Sequence, residues 1–209
     1  MNSEQLITAF NAMADSMDAN KQILCDLDGA IGDADHGVTM ALGFAAVQQA
    51  LGELNSQTAS PADIFNQAAK SFLNAVGASA GPLYATAFMR AGAAVKGETS
   101  IDTNKLCDVI VAMAEGIKAR GKAEAGDKTM LDAWQPAAAA AIKHKSSGNS
   151  TMLLQAVADA ATQGAEATGQ LIAKKGRAAK LGERSRGHQD PGAVSTAMLL
   201  SAWAESLRG

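Results

Sequence analysis

Eight stretches of helical spacing, joined mostly by short connections, constrain this chain more than any other feature of its sequence. In the first, which runs roughly from Ser3 to Asp26, apolar residues such as Phe10 and Met17 recur every three or four positions. The other seven stretches begin near His36, at Ser60, after Pro82, at Asp102 or Thr103, at Lys128, at Ser150 and at Ala193. Short links favour antiparallel neighbours, so the pattern predicts an all-α, eight-helix up-and-down bundle or closed barrel.

Composition agrees with a helical fold. Of the 209 residues, 47% are hydrophobic and only 4% are aromatic, and alanine, the strongest helix former, is abundant. No linker of distinct composition divides the chain, so we expect one domain over residues 1–209. The net charge is -3, and only the stretch from Lys174 to Arg186 is clearly basic. Because nucleic-acid binding needs many basic residues against the phosphates, we do not expect nucleic acid as a partner.

The sequence also lacks the patterns of membrane or secreted proteins and of disulfide-stabilised proteins. No apolar run reaches about 18 residues, and the first residues show no basic stretch followed by an apolar one, so we expect no membrane span and no leader. Cys25 and Cys107 form no disulfide framework. We interpret them as reduced thiols, and we expect a cytoplasmic protein.

The segment from Asp26 to Gly37 gathers four carboxylates and three glycines into twelve positions. Hard cations such as Mg²⁺ prefer oxygen ligands, so Asp28, Asp33 and Asp35 are candidate metal ligands. Their spacings of five and two favour a wrapped loop over a helix face. Asp26 is the weakest member and is expected only to end the first helix or to support the other three. The alternative is an ordinary turn, because aspartate and glycine also serve as caps and turn residues.

His36 and Gly37 stand where the second predicted helix begins, and the free N–H groups at a helix N-terminus favour an anion. Three other loops contain residues suited to a ligand, and each also has a plain structural interpretation as a turn, a cap or a solvated flap. These loops are Gly77–Pro82, Arg120–Asp127 and Gly176–Gly192. In an up-and-down bundle, the links after odd-numbered helices fall at one end. All four loops follow odd-numbered helices, so we expect one composite site at one rim.

These motifs carry a resemblance to a known family. The segments 31–37, 120–130 and 181–192 resemble the nucleotide-binding L subunit of dihydroxyacetone kinase, in the same order and over nearly the whole chain. The resemblance implies an eight-helix barrel that holds ADP or ATP and two Mg²⁺ ions at one rim.

By position, the resemblance makes Asp28, Asp33 and Asp35 the metal ligands. It implies that His36 and Arg177 contact phosphate and act in catalysis. The full set of implied nucleotide contacts is His36, Gly37, Val38, Thr39, Ser79, Ala80, Gly121, Met130, Arg177, Asp190, Pro191 and Gly192. Thr39 and Ala80 depart from the family pattern, since asparagine and serine are expected there.

The resemblance further implies transfer of the terminal phosphoryl group to dihydroxyacetone held by a partner, the ketose-binding kinase subunit. Two donor schemes stay open. In one, ADP is a resident cofactor that a phosphohistidine protein of the phosphotransferase system rephosphorylates; in the other, ATP exchanges as a substrate. A free-standing subunit of this length resembles the first. The alternatives are a nucleotide-state sensor that docks on a transcription regulator, and a kinase subunit for another acceptor such as a four-carbon ketose or a fatty acid.

Overall fold

The computed structural model describes residues 1–208, which contain nine α-helices and three short 3-10 segments. The α-helices are α1 (Ser3–Ala19), α2 (Lys21–Ile31), α3 (His36–Gly52), α4 (Pro61–Ala75), α5 (Ala80–Ala94), α6 (Thr103–Gly121), α7 (Leu131–His144), α8 (Ser150–Ala167) and α9 (Pro191–Ser206). The 3-10 segments are Lys145–Ser147, Thr168–Gln170 and Ala178–Ser185. The predicted all-α class is confirmed, with no strand in the described part of the chain.

The first predicted helix is wrong in one respect, because it is broken into α1 and α2 at Asn20. The side-chain amide of Asn20 donates to the Ser16 carbonyl at 2.8 Å, and its backbone N–H donates to the same oxygen at 3.1 Å. Asparagine side chains compete with the helix for backbone partners in this way. Both halves pack against α3, so they act as one bent rod. Asp26 therefore lies inside α2, and Asp28 lies in its last turn rather than in a wrapped loop.

Eight rods form a closed ring, in which each packs against its successor and α9 packs against α1. Hydrogen bonds tie together the end of the ring that carries the N-terminus. Met1 and Ile101 exchange backbone bonds of 2.7 and 2.8 Å, and the Ser3 hydroxyl donates to the Ala59 carbonyl at 2.7 Å. The links after α3 and α5 therefore meet the start of α1, which leaves the four predicted site loops at the opposite rim.

Other boundaries differ from prediction for local reasons. α7 begins at Leu131 rather than Lys128, because Asp132 accepts the N–H groups of Gly126 and Thr129 and so folds the preceding residues into a turn. The predicted seventh helix was expected to reach Lys175, yet α8 ends at Ala167. The last helix begins slightly earlier than expected, at Pro191.

Aromatic rings pack edge to face in the core between α3, α4 and α5. Phe44 lies 5.4 Å from Phe72 and 6.0 Å from Tyr84, measured between ring centroids. Gly43 lets the Phe72 ring come close to α3, because a Cβ added at Gly43 would lie 2.3 Å from that ring. This packing sets the position of α3, whose first turn borders the candidate site.

Two properties bear on the expected environment of the protein. None of the described helices combines the length and apolar character needed to span a bilayer. Cys25 and Cys107 are free and buried.

A pair of glycines on α3 tests this packing. We expect Gly43→Ala to lower the free energy of unfolding by about 1–3 kcal/mol, because the new methyl group forces the Phe72 ring to move. Gly52→Ala is the matched control, since nothing lies within 4 Å of the added Cβ. Alanine favours the helix there, so the control should be neutral or up to about 1 kcal/mol more stable. Urea unfolding followed by circular dichroism measures both variants, and equal stability of the two would contradict the packing.

Candidate metal and phosphate site

Three aspartates converge where α2 ends and α3 begins. Asp28, Asp33 and Asp35 each offer one carboxylate oxygen, and these oxygens all lie within 4.8 Å of one another. Asp28 is only 9% exposed, whereas Asp33 and Asp35 face solvent. Ala34 between the two has φ +62, a left-handed conformation that is rare for a residue with a side chain. The turn thus brings together three like charges that repel one another unless a cation lies between them.

Asp28 is oriented by the residues around it. Its Oδ2 atom accepts the N–H groups of Asp35 at 2.9 Å and His36 at 3.2 Å, so it caps α3 from the end of α2. Its Oδ1 atom occupies the space that a side chain at position 32 would need, since a Cβ added to Gly32 would lie 2.1 Å away. One oxygen is therefore held by the backbone and the other stays open to a cation.

The chemistry of this donor set fits Mg²⁺. Ligand oxygens around one Mg²⁺ lie at about 2.0–2.1 Å from it and hence up to about 4.2 Å from one another, so a small inward movement suffices. Three carboxylates leave further coordination positions for water or phosphate oxygens, which is how Mg²⁺ commonly binds with nucleotides. Asp26 does not belong to this group: it is exposed, and its carboxylate accepts from Gln22 at 2.8 Å.

His36 begins α3 and is held by a residue from α9. Its Nε2 atom lies 2.9 Å from the Ser195 hydroxyl, which in turn donates to the Gly192 carbonyl at 3.0 Å. Nε2 therefore has a hydrogen-bond partner in the protein, whereas Nδ1 has none among the described residues. Burial lowers the pKa of His36, although the charge of Asp28 opposes this shift.

Four helix N-termini meet at the same rim. α3, α5, α7 and α9 all begin there, since each rod that runs away from the rim starts at it. The positive ends of helix dipoles favour anions. In residues 1–208, the N–H groups of Gly37 and Val38 donate to no protein acceptor, and neither does that of Gly192. These amides are free to bind a phosphate.

A cavity of about 430 Å³ connects the aspartates with these helix ends. The residues that line it come from three of the four predicted loops and from the residues that follow the fourth, Arg120–Asp127, and they include Asp28, Asp33, Asp35, His36, Thr39, Ser79, Ala80, Met130, Arg177, Asp190, Pro191 and Gly192. A second cavity of about 440 Å³ shares Leu83, Thr129 and Met130 with the first and extends past Ile117 and Leu131. The charged end and the more apolar end together suit a phosphate-bearing ligand with a flat apolar group.

Three residues implied by the resemblance lie differently from the rest. Gly121 lines only the second, apolar cavity. Gly37 is buried against α2, where an added Cβ would lie 1.9 Å from the Lys21 carbonyl oxygen. The side chain of Val38 is 54% exposed and does not line the cavity. Gly37 and Val38 can thus contribute through their backbone N–H groups only.

Arg177 reaches the aspartates from the loop after α8. Its guanidinium forms an ion pair with the Asp33 carboxylate. Both groups are well exposed to solvent, so this pair brings the loop to the three aspartates without burying either charge. A phosphate bound beside Asp33 would therefore lie within reach of the arginine.

Asp190 caps α9 at the cavity wall and accepts the Ala193 N–H at 2.8 Å. It is half-buried, and desolvation of its carboxyl raises its pKa to about 7 in spite of that hydrogen bond. The Thr168 hydroxyl accepts the Asp190 N–H at 2.9 Å and so ties the end of α8 to the start of α9.

Sequence reasoning missed several residues of the site. Ser195 is not among the predicted contacts, although it follows Gly192 by nearly one turn and so shares its face. Lys128 and Thr129 are not among them either, yet both line the cavity. Lys175 and Gly176 also line it. Their loop positions offered no signal that would have separated them from their neighbours.

A still larger cavity, of about 690 Å³, lies elsewhere, between α1, α8 and α9. None of the predicted site residues lines it, and its titratable groups are Asp15, Glu166 and Glu205, all on different helices. We therefore base the candidate site on the cavity that the aspartates border.

Comparison with known proteins identifies relatives of this chain. The DAK2 domain family matches residues 30–205. "PEP-dependent dihydroxyacetone kinase 1, ADP-binding subunit DhaL" of Listeria innocua is 44% identical over 196 residues, which are 94% of this chain and 92% of the relative. "PTS-dependent dihydroxyacetone kinase, ADP-binding subunit DhaL" of Lactococcus lactis is 38% identical over 186 residues, or 89% and 88% of the two chains.

A solved structure is also similar. The dihydroxyacetone kinase of C. freundii, in complex with AMP-PNP and Mg²⁺, matches with a TM-score of 0.73 and 28% identity. The match covers 96% of this chain and 34% of that one, so this chain spans about a third of the length of that kinase.

The raised pKa of Asp190 predicts a pH-dependent stability difference. The folded state binds the Asp190 proton more tightly than the unfolded state does, which favours folding at low pH and is lost as the pH rises to about 7. Asparagine is an equally good cap and stays neutral. We therefore expect Asp190→Asn to raise the melting temperature over the original chain by more at pH 8 than at pH 4.5, measured with EDTA and without nucleotide.

Asp63→Asn is the control for that experiment. Hydrogen bonds from Ser60 lower the pKa of Asp63, so its carboxyl is ionised in both states above pH 5 and its replacement brings no gain with rising pH. A gain from Asp190→Asn that does not change with pH would contradict the raised pKa of Asp190.

Proposed function

The chain belongs to the DAK2 domain family, and from this premise we propose that it is the nucleotide-binding subunit of a dihydroxyacetone kinase. It binds ADP or ATP with Mg²⁺ and transfers the terminal phosphoryl group to dihydroxyacetone. The observation that supports this most directly is the meeting of three carboxylates with four helix N-termini at one cavity. The names of the relatives, which are ADP-binding subunits of such kinases, agree with it.

We assign Asp28, Asp33 and Asp35 to two Mg²⁺ ions. Bound Mg²⁺ neutralises phosphate charge and so supports phosphoryl transfer, which depends mainly on positioning and charge stabilisation. Asp28 can serve without losing its place, because its capping bonds use one oxygen only. The C. freundii kinase that this chain resembles was solved with AMP-PNP and Mg²⁺.

The remaining contacts divide along the cavity. At the charged end, the free amides at the starts of α3 and α9 hold phosphate, together with His36 and Arg177. Thr39, Ser79 and Ala80 stand at positions that the resemblance assigns to nucleotide contacts, and all three line the cavity. Gly121 and Met130 border the apolar cavity, where the base is expected to bind. Asp190 and Pro191 complete the wall between the two ends.

We propose that a ketose-binding partner subunit presents dihydroxyacetone at the rim. The relatives that this chain matches over 92% and 88% of their length are named as ADP-binding subunits of such kinases, which supports a separate subunit for the acceptor. We further propose that ADP is resident and that a phosphohistidine protein of the phosphotransferase system recharges it, as the PEP- and PTS-dependent names of the relatives suggest. Such a system operates in the cytoplasm.

Reconstitution tests this function. The chain is mixed with Mg²⁺, ADP, a ketose-binding kinase subunit and the phosphoenolpyruvate-driven donor proteins, and dihydroxyacetone phosphate is measured. Formation of the product only when all components are present supports the proposal. Transfer to a four-carbon ketose but not to dihydroxyacetone would show that the proposed acceptor is wrong. Nucleotide binding without any transfer would favour the alternative of a nucleotide-state sensor.

The metal assignment predicts the effect of removing one ligand. We expect Asp33→Ala to abolish transfer and Mg²⁺-dependent ADP binding, while the circular dichroism spectrum stays unchanged because Asp33 is exposed and outside the helices. Asp26→Ala is the matched control, since Asp26 is a nearby exposed aspartate outside the cluster, and it should keep full activity. Isothermal titration calorimetry with ADP, with and without Mg²⁺, measures both variants. An unaltered rate for Asp33→Ala would remove this residue from the site.

The resident-cofactor scheme predicts slow exchange. We expect ADP to stay bound to the chain through gel filtration in Mg²⁺ buffer and to be lost when EDTA is added, because the metal links the phosphates to the carboxylates. The nucleotide content of the protein peak is measured by its ultraviolet spectrum and by chromatography after denaturation. Complete loss of ADP in the presence of Mg²⁺ would instead favour ATP as an exchanging substrate.

A further inference from the structure

One lysine is buried beside the site without a carboxylate partner. Lys128 is 1% exposed, and its ammonium donates to four backbone carbonyls, those of Thr168 at 2.9 Å, Leu171 at 3.1 Å, Ser185 at 2.8 Å and His188 at 2.5 Å. Within residues 1–208, no carboxylate lies within 4.0 Å of this ammonium. Buried lysines are rare unless paired, and the hydrogen-bond partners of this one are carbonyl oxygens, with the charge of Asp190 close enough to raise its pKa against the effect of burial.

The four carbonyls belong to the two ends of one loop. Thr168 and Leu171 begin it and Ser185 and His188 end it, and we refer to residues 168–188 as the Arg177 segment. The ammonium therefore closes this segment at its neck. A backbone bond of 2.8 Å from Gly187 to the Gly169 carbonyl lies at the same neck.

The closed segment places Arg177 beside the aspartates that are the candidate metal ligands. Arg177 lies near the middle of the segment and pairs with Asp33, while Lys175 and Gly176 line the cavity next to it. The segment contains two 3-10 stretches, Thr168–Gln170 and Ala178–Ser185, and no α-helix, so its shape depends on contacts such as those of Lys128. Hydrogen bonds from a charged donor are about twice as strong as those between neutral groups, which suits an ammonium to this task.

The backbone of Lys128 supports the same interpretation. Its φ is +61, a left-handed conformation that costs free energy for a residue with a side chain. Strain of this kind persists where surrounding contacts hold it in place. The next two residues, Thr129 and Met130, form part of the cavity wall, so one residue fixes both the wall and the loop opposite it.

We propose that Lys128 is a positioning residue, whose ammonium holds the neck of the Arg177 segment closed and so places Arg177 over the phosphate end of the cavity. The proposal rests on the proposed function where its test uses nucleotide binding. Its structural part, the closure of the segment, stands or falls without a nucleotide.

The first experiment replaces Lys128 by methionine, which keeps the length of the side chain and removes its charge. We expect Lys128→Met to weaken Mg²⁺-dependent ADP binding about tenfold or more, because a loop that must be ordered on binding lowers affinity. Limited trypsin digestion should cut the variant faster within the Arg177 segment, after Arg177, Lys180 or Arg184. Lys96→Met is the matched control, because Lys96 is an exposed lysine outside the segment, and it should change neither result.

Chemical rescue separates the ammonium from a general loss of stability. Lys128→Ala leaves room for a small cation among the four carbonyls. Propylammonium should restore trypsin resistance and affinity in part, whereas tetramethylammonium, which has no N–H to donate, should not. Any other pattern, such as equal effects of the two salts, would overturn the assignment of this role to the ammonium.

A measurement on the unmodified chain covers the case in which the variants do not fold. Brief treatment with acetic anhydride, followed by mass spectrometry, reports which lysines are accessible. Lys128 should remain unlabelled while Lys118 and Lys174 react. Labelling of Lys128 at the rate of those lysines would overturn the closure of the segment, and a failure of the chain to bind ADP, with Lys128 protected, would instead overturn the proposed function alone.

Discussion

The alternating direction of eight rods around a closed ring is the constraint on which the rest of this structure depends. Because neighbouring rods run in opposite directions, every second one has its N-terminus at the rim of the candidate site. These are α3, α5, α7 and α9. Unpaired amides and positive dipole ends follow from that arrangement without any basic side chain. This explains how a chain with a net charge of -3 can offer a phosphate site.

The turn with the three aspartates carries negative charge, whereas the helix N-termini beside it are positive. The two features depend on each other. Three carboxylates beside a phosphate site would repel the phosphate unless a cation lay between them. Asp28 belongs to both parts, since it caps α3 with one oxygen and faces the cluster with the other. Gly32 keeps that second oxygen free by having no side chain. The candidate metal ligands and the amides proposed to bind phosphate are therefore built from the same few residues.

The remaining wall of the site comes from loops that the ring itself does not order. The segment after α8 carries Arg177 to Asp33, and a buried ammonium joins the two ends of that segment. Ser195 adds a second connection, from α9 to His36. The helices thus position the free amides at the rim, whereas polar side chains from distant positions in the sequence position the loops around the cavity.

The sequence alone determined the helical class, the common rim of the four loops and the three aspartates, because helical period, loop parity and local charge are encoded within short segments. The broken first helix escaped this reasoning, since the periodicity continues across Asn20 and only its side-chain bonds to Ser16 interrupt the helix. Only the tertiary structure revealed the roles of Ser195 and Lys128, whose partners lie 159 and 40–60 residues away. Contacts at such separation leave no periodic or compositional trace, because they arise when the ring closes and brings α9 and the last loop beside the first ones.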